Sequence, residues 1–271
     1  MTVLTFTLKT EPRQRVDVSP LIPGNLSNKT LSEIGAILLQ VGNRQVRADE
    51  MFAIEGQGAE SVKFQDATDK LDFIGKGIER GEITVEGDAG AYAGMQMKGG
   101  ILNVSGSVGA YAACEMKNGQ MNIGGNAGDY LGAALPGNKK GMQGGVVIVR
   151  GNAGDRVGDH MRRGAILIEG NAGAYLGARM TAGTIGVLGE VGDYAGYAMK
   201  RGTLLLMNAP GNISATFNDC GSHSLGFLPL LLKGFQDYQT RFGSLADQVK
   251  RVRRYAGDMA AAGKGEILIV I

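Results

Sequence analysis

Short runs with apolar residues two apart, most of them with a polar or small residue between, recur along the middle of the chain. The apolar members are Ile83 and Val85, Leu102 and Val104, Met121 and Ile123, Val147 and Val149, Ile166 and Ile168, Ile185 and Val187, and Leu204 and Leu206. Alternation with a period of two is the signature of a half-buried strand. Nothing within a repeat supplies apolar residues at i, i+3, i+4 and i+7, which argues against helical repeats. Each strand runs into a Gly-x-x-Gly turn, at Gly87/Gly90, Gly106/Gly109, Gly125/Gly128, Gly151/Gly154, Gly170/Gly173 and Gly189/Gly192. Successive turns lie 19, 19, 26, 19 and 19 residues apart, and a decayed copy stands at Asn208/Gly211.

Other positions keep the same register. Met97, Met116, Met142, Met161, Met180 and Met199 each precede a glycine by three residues, with Ile78 in that place one period earlier. Tyr92, Tyr111, Tyr130, Tyr175 and Tyr194 form a second column, in which Arg156 stands once. A fixed period of 19 is too short for a propeller blade and suits one coil of a parallel β-helix, whose coils pair at roughly 4.8 Å. Stacking would fill the interior with the aliphatic columns and place small residues (Gly94, Ala113, Gly132, Gly158, Gly177, Gly196) at tight corners. The residues after the first turn glycine (Asp88, Ser107, Asn126, Asn152, Asn171, Glu190) are expected to form a polar ladder along the turn. The turn glycines themselves are expected to supply positive φ. Glycine makes up 45 of 271 residues, but a flexible tract has no reason to keep columns in register.

The expected architecture is therefore all-β, a single-stranded solenoid of 19-residue coils over residues 51–211. Residues 1–50 and 212–271 are expected to be small α-containing caps over its ends, since an open strand edge invites aggregation. In the first, Val3 to Leu8 reads as a strand. Thr30 and Glu33 form a capping box before a short helix with Leu31, Ile34, Ile37 and Leu38 as its apolar face, which Gly42 can end. In the second, Ser244 and Asp247 precede an apolar stripe of Leu245, Val249, Val252, Ala256 and Met259, predicting an amphipathic helix, and Glu266 to Ile271 reads as a buried strand. Seven extra residues fall between Leu131 and Met142, around Pro136-Gly137-Asn138-Lys139-Lys140; in repeat proteins such insertions form loops, neutral or on a contact face.

Net charge of +2 gives no pointer to nucleic acid, and the longest apolar run, Leu225 to Leu232, is far too short to cross a bilayer. No basic-then-apolar leader opens the chain, so a cytoplasmic location is expected. Cys114 and Cys220 lie apart without a metal-type spacing. Glycine strings invite a dinucleotide reading, but each glycine turn leads to another short coil and not to a helix. Cys220 with His223 is the most site-like pair, and it needs partners that the sequence does not supply. No catalytic, cofactor-binding or metal set is therefore assigned. One feature stands out: one or both of the two residues after the methionine column are basic in four of six copies, giving Lys98, Lys117, Arg162, Arg163, Lys200 and Arg201. Stacked, they would make a basic ridge. It is either a solvated edge whose charges prevent sheet pairing or a docking strip for an acidic partner or polyanion.

The pattern Met-x-x-Gly-x-Ile-x-x-x-Gly-Asn-Ala-Gly-x-Tyr-x-Gly, as in Met161 to Gly177, resembles the GXGXG repeat of two protein groups. One is the C-terminal domain of the glutamate synthase large chain. The other is the C subunit of formylmethanofuran dehydrogenase and of the bacterial formyltransferase/hydrolase complex. The resemblance covers roughly residues 40–271. The free-standing chain, and ends similar to those of C subunits (Gly42-Asn-Arg and Gly263-Lys-Gly-Glu-Ile-Leu), favour the second group; within it the bacterial branch is the expectation. It implies a right-handed parallel β-helix acting as a non-catalytic scaffold in tetrahydromethanopterin-linked one-carbon metabolism. Sibling amidohydrolase-like and formyltransferase chains would hydrolyse and transfer the formyl group of formyl-methylofuran. It further implies that the complex uses methylofuran or methanofuran and tetrahydromethanopterin, none bound by this chain, with the carrier's polyglutamate tail a candidate ligand of the basic ridge. The C subunit of a tungsten or molybdenum dehydrogenase, a glutamate-synthase-like spacer, and an enzyme using Cys220 and His223 stay open beside it.

Overall fold

Each alternating segment is a strand, and each strand pairs in parallel with its equivalent in the next repeat. In the computed structural model, which describes residues 3–58 and 60–271, Ser61–Ala67, Glu82–Gly87, Ile101–Val104, Gln120–Ile123, Gln143–Val149, Arg163–Ile168, Thr184–Val187 and Arg201–Leu206 follow one another across one sheet. Lys264–Val270 extends it, in parallel with Arg201–Leu206. Met1 and Thr2, just ahead of the expected first strand, and Ala59, among the expected first coils, lie outside the described residues. The class is all-β. Helices among the described residues are short pieces at Pro23–Leu26, Leu31–Gly35, Ala48–Met51 and Phe227–Lys233.

The register matches the sequence columns. Ile83, Leu102, Met121, Val147, Ile166, Ile185 and Leu204 stand opposite one another and are fully buried. A second parallel contact line joins Ala89, Val108, Ala127, Ala153, Ala172 and Val191, all buried. All six methionines of the column are also buried, with Ile78 in line. Burying such side chains contributes roughly 1.5–3 kcal/mol each. Outside the core, Phe73, Tyr92, Tyr111 and Tyr130 stack at 4.6–5.3 Å, and Arg156 lies over Tyr175, which stacks on Tyr194.

The polar ladder forms as expected. Asp88 Oδ1 accepts from the Ser107 amide, Ser107 Oγ from Asn126, Asn126 Oδ1 from Asn152, Asn152 Oδ1 from Asn171, and Asn171 Oδ1 from Glu190, at 2.7–3.0 Å. Each side chain satisfies a backbone donor that the turn leaves without a strand partner. The role of the neighbouring glycines is different from the one expected. Among the first turn glycines only Gly87 has positive φ; Gly106, Gly125, Gly151, Gly170 and Gly189 do not. Instead the turns approach one another too closely for a side chain: a Cβ on Gly170 would lie 2.6 Å from the Gly151 carbonyl oxygen. Positive φ is found at the small-residue corners, Gly94, Ala113, Gly132, Gly158, Gly177 and Gly196, and also at the tyrosine column.

Two expectations are corrected at the ends. The capping box at Thr30 is present, with the Glu33 amide donating to the Thr30 hydroxyl, but the helix stops at Gly35. Leu38–Val41 is a strand pairing antiparallel with Arg44–Arg47, and Gly42, at positive φ, makes the turn between them. Leu31 and Leu38 are consequently exposed, and only Ile34 of the expected face is fully buried. At the other end no helix spans Leu245 to Met259. Arg241–Leu245 is a 3₁₀ turn, and Val252–Gly257 is a strand antiparallel to Lys264–Val270. The reason is tertiary. The open edge of Lys264–Val270 gains a full ladder of hydrogen bonds, which outweighs the helical spacing of a segment containing the β-branched Val249 and Val252.

The segment between Leu225 and Val249 covers the sheet's outer face. Outward residues are polar in the early repeats (Thr84, Asn103, Asn122) and apolar in the later ones (Ile148, Leu167, Leu205, Leu268). Leu228, Leu232, Phe235, Phe242, Ala246 and Val249 pack against that apolar half. Gly186 interrupts the outward column where the Phe242 ring enters; a Cβ there would lie 2.5 Å from the ring.

Candidate docking surface

The methionine column fixes the ridge. Because each methionine is buried, the residue that follows it emerges at the surface, and its amide bonds back to the methionine-column carbonyl of the preceding repeat. Lys98, Lys117, Gln143, Arg162, Thr181 and Lys200 each donate in this way to Ile78, Met97, Met116, Met142, Met161 and Met180, at 2.6–2.8 Å. Lys98, Lys117, Arg162 and Lys200 thus share one backbone column, and Arg163 and Arg201 lie beside it; all six are exposed. At about 4.8 Å per step the column spans roughly 24 Å. Lys264, opposite Arg201 in register, carries the positive charge one strand further, which the sequence reading did not include. Glu79 pairs into the ridge, 2.6 Å from Lys98, whose hydrogen bond holds that carboxyl below its usual range.

The column is interrupted at Gln143 and at Thr181, and the inserted loop lies at the first of these. Its base is pinned by the Ala134 amide donating to the Asp159 carbonyl and the Gly141 amide donating to the His160 carbonyl. Inside it, Glu115 is buried and accepts from Gln96 Nε2 (2.9 Å), Asn138 Nδ2 (2.6 Å) and the Leu135 amide (3.3 Å). Burial alone would raise the Glu115 carboxyl, but these donors and nearby Lys117 outweigh it and hold it below its usual value. Asp159, also buried, pairs with Arg179. The His160 imidazole is pushed down, first by burial and then by Arg179, Lys200 and Lys139, against the opposing pull of Asp159. Glu115, Asp159 and Arg179 escaped sequence reading because their positions vary from repeat to repeat and keep no column chemistry.

Cys220 and His223 sit in an exposed strand, Asn218–His223, where His223 Nε2 lies 2.8 Å from the Cys220 carbonyl oxygen, not its sulfur. Cys114 is buried, and burial pushes its thiol up to about 12. Among the described residues no three His, Cys, Asp or Glu side chains converge as metal ligands, and no helix is long and apolar enough to cross a membrane.

No family model matches the chain. Among curated proteins it is 33% identical over 94 residues to the C subunit of the tungsten-containing formylmethanofuran dehydrogenase 2 of Methanococcus maripaludis. It is 37% identical over 86 residues to the C subunit of the formyltransferase/hydrolase complex Fhc of Methylorubrum extorquens. These alignments cover 34% and 32% of the chain and span about a third of each relative's length. The likeness to a solved structure is much broader. A chain of the formyltransferase/hydrolase complex (FhcABCD) from Methylorubrum extorquens, solved in complex with methylofuran, superposes with a TM-score of 0.93 at 37% identity, covering 98% of this chain and 99% of that one. With nearly the whole of both chains matched at that identity, the chain belongs to the C-subunit family of formyltransferase/hydrolase and formylmethanofuran dehydrogenase complexes.

Proposed function

We propose that this chain is the structural C subunit of a formyltransferase/hydrolase complex in tetrahydromethanopterin-linked one-carbon metabolism. The observation that carries this is the near-full-length likeness, at 37% identity, to a chain of a complex bearing that name and holding methylofuran. In this reading the partners are an amidohydrolase-like and a formyltransferase subunit, and the formyl chemistry is theirs. The finer architecture we propose is a right-handed parallel β-helix over residues 51–211, closed by caps at 1–50 and 212–271. Parallel pairing of equivalent residues across the successive strands from Glu82–Gly87 to Lys264–Val270, with a second line of bridges, supports it. Lys98, Lys117, Arg162, Arg163, Lys200 and Arg201 are the proposed docking ridge, for an acidic partner surface or the polyglutamate tail of a methylofuran-type carrier. Their exposure and single sign fit such a polyanion. Supplied with the complex, that carrier would bring the formyl group; this chain would contribute electrostatic attachment.

A second reading, the C subunit of a tungsten-containing formylmethanofuran dehydrogenase, is favoured by the 33% identity to the Methanococcus protein. Purifying the tagged chain from its own cells, with mass spectrometry of what accompanies it, separates the two. An amidohydrolase-like chain with a formyltransferase, and no iron–sulfur proteins, is the expected result. Iron–sulfur and molybdopterin-type chains would replace it with the dehydrogenase reading, and recovery of a lone monomer would overturn both.

A further inference from the structure

Each glycine turn is completed by the turn that follows it, until the last. The amides of Ala153 and Ala172 donate to the carbonyls of Asn171 and Glu190, and those of Arg156 and Tyr175 to the carbonyls of Ala174 and Asp193, at 2.8–2.9 Å. Side chains bridge the same step: Asn171 Oδ1 accepts from the Glu190 amide, and Asp155 Oδ1 from the Ala174 amide. At the final turn, Glu190 to Tyr194, nothing takes the next place. Among the described residues the Val191 and Tyr194 amides find no acceptor, and the exposed Glu190 and Asp193 carboxylates find no donor. Tyr194 keeps one ring face on Tyr175 at 4.8 Å and is 54% exposed. Elsewhere the chain closes this end itself. Lys264–Val270 pairs with the last repeat strand, Asn208 donates to the Leu188 and Gly189 carbonyls, and Asp258 accepts from the Ala198 amide.

We propose that this open turn docks an extended, arginine-bearing segment of a partner protein, laid across Glu190 to Tyr194 as one further rung. The segment's carbonyls accept from the Val191 and Tyr194 amides, and its arginine stacks on the free face of Tyr194 and pairs with the neighbouring carboxylates. The chain carries its own precedent: Arg156 takes a place in the tyrosine column and lies over the Tyr175 ring at 4.4 Å. A guanidinium therefore fits the stack, and its planar fork suits both a ring face and a carboxylate. Charge selects the occupant. A second copy brought to this edge about a two-fold axis would set like charges together at Glu190 and Asp193, and a polyanion would meet the same repulsion. The inference rests on the reading of the chain as one subunit of a larger complex, and it uses no residue of the basic ridge.

The test is photo-cross-linking in the chain's own cells, with p-benzoylphenylalanine in place of Tyr194 in the full chain and the adduct mapped by mass spectrometry. The expected adduct joins position 194 to one segment of a co-purifying protein, with an arginine within about three residues, or roughly 10 Å of extended chain, of the linked site. In pull-downs at low salt, Tyr194→Ser and the double variant Glu190→Gln/Asp193→Asn should each retain that protein at least about fivefold more weakly at an unchanged melting temperature. Tyr194→Phe, which keeps the ring, should retain it fully. An adduct only to a second copy, a linked segment without arginine, or full retention by Tyr194→Ser would overturn the proposal. Sibling subunits that co-purify without any adduct at position 194 would overturn it too and leave the proposed function standing. An arginine-bearing adduct in a protein that is neither an amidohydrolase-like nor a formyltransferase chain, with no such siblings recovered, would sustain it and overturn that function.

Discussion

A single glycine shows how little room the repeats leave one another. Gly173 has an ordinary φ, yet a Cβ there would lie 2.2 Å from Asp155 Oδ1 and 2.8 Å from the Gly154 backbone. Gly173→Val should therefore cost about 2–3 kcal/mol through forced separation of two turns, whereas Gly211→Ala, with nothing within 4 Å, should be close to neutral. Chemical denaturation of both variants checks the contrast, and equal midpoints would remove the close-approach account. Sequence reading located these glycines correctly and gave the wrong cause, because a required absence of volume and a required positive φ leave the same letter. Glu115 gives a residue-scale pH dependence. Its folded carboxyl titrates below the unfolded value of about 4.3. Its contribution is then present above that value and lost as pH falls through the lower, folded one. Between about pH 5 and 3 the wild type should lose stability more steeply than Glu115→Gln; parallel slopes would show that the carboxylate contributes nothing.

At the scale of elements, strands were legible and their coverings were not. The apolar pair two residues apart, recurring in register, marks every strand from Glu82–Gly87 to Arg201–Leu206, because one face of each is buried against equivalent residues. The helix expected from Leu245 to Met259 failed because its apolar spacing is shared between two different elements. Leu245 and Val249 belong to the cover over the sheet, whereas Val252 lies in a strand paired on both sides, with Asn218–His223 and Lys264–Val270. A periodicity of 3.6 cannot reveal that its members belong to different elements. The cover makes its own prediction. Phe242 is fully buried against the outer face at Gly186, so Phe242→Ala should destabilise by about 3–5 kcal/mol. It should also expose the apolar half of the sheet, seen as increased dye binding before global unfolding. A loss below about 1 kcal/mol would mean that the segment only rests there.

For the whole molecule, the basic column was legible, while the placing of Lys139 in one hollow with Lys117 was not, since no sequence period relates them. Replacing Arg162, Arg163, Lys200 and Arg201 with serine should leave the melting temperature unchanged and weaken retention of sibling subunits or carrier in pull-downs at low salt. Full retention would leave the charges as a solvated edge. The register carries a further consequence. Each repeat adds one strand, bonded to its two neighbours, so the fold lengthens by about 4.8 Å for every whole repeat gained. Removing or duplicating one 19-residue unit would keep the buried columns intact and translate everything attached at one end by that amount relative to the other. A protein built this way can act as a ruler: the number of its repeats sets how far apart two attached proteins are held, in graduations fixed by the backbone hydrogen bond.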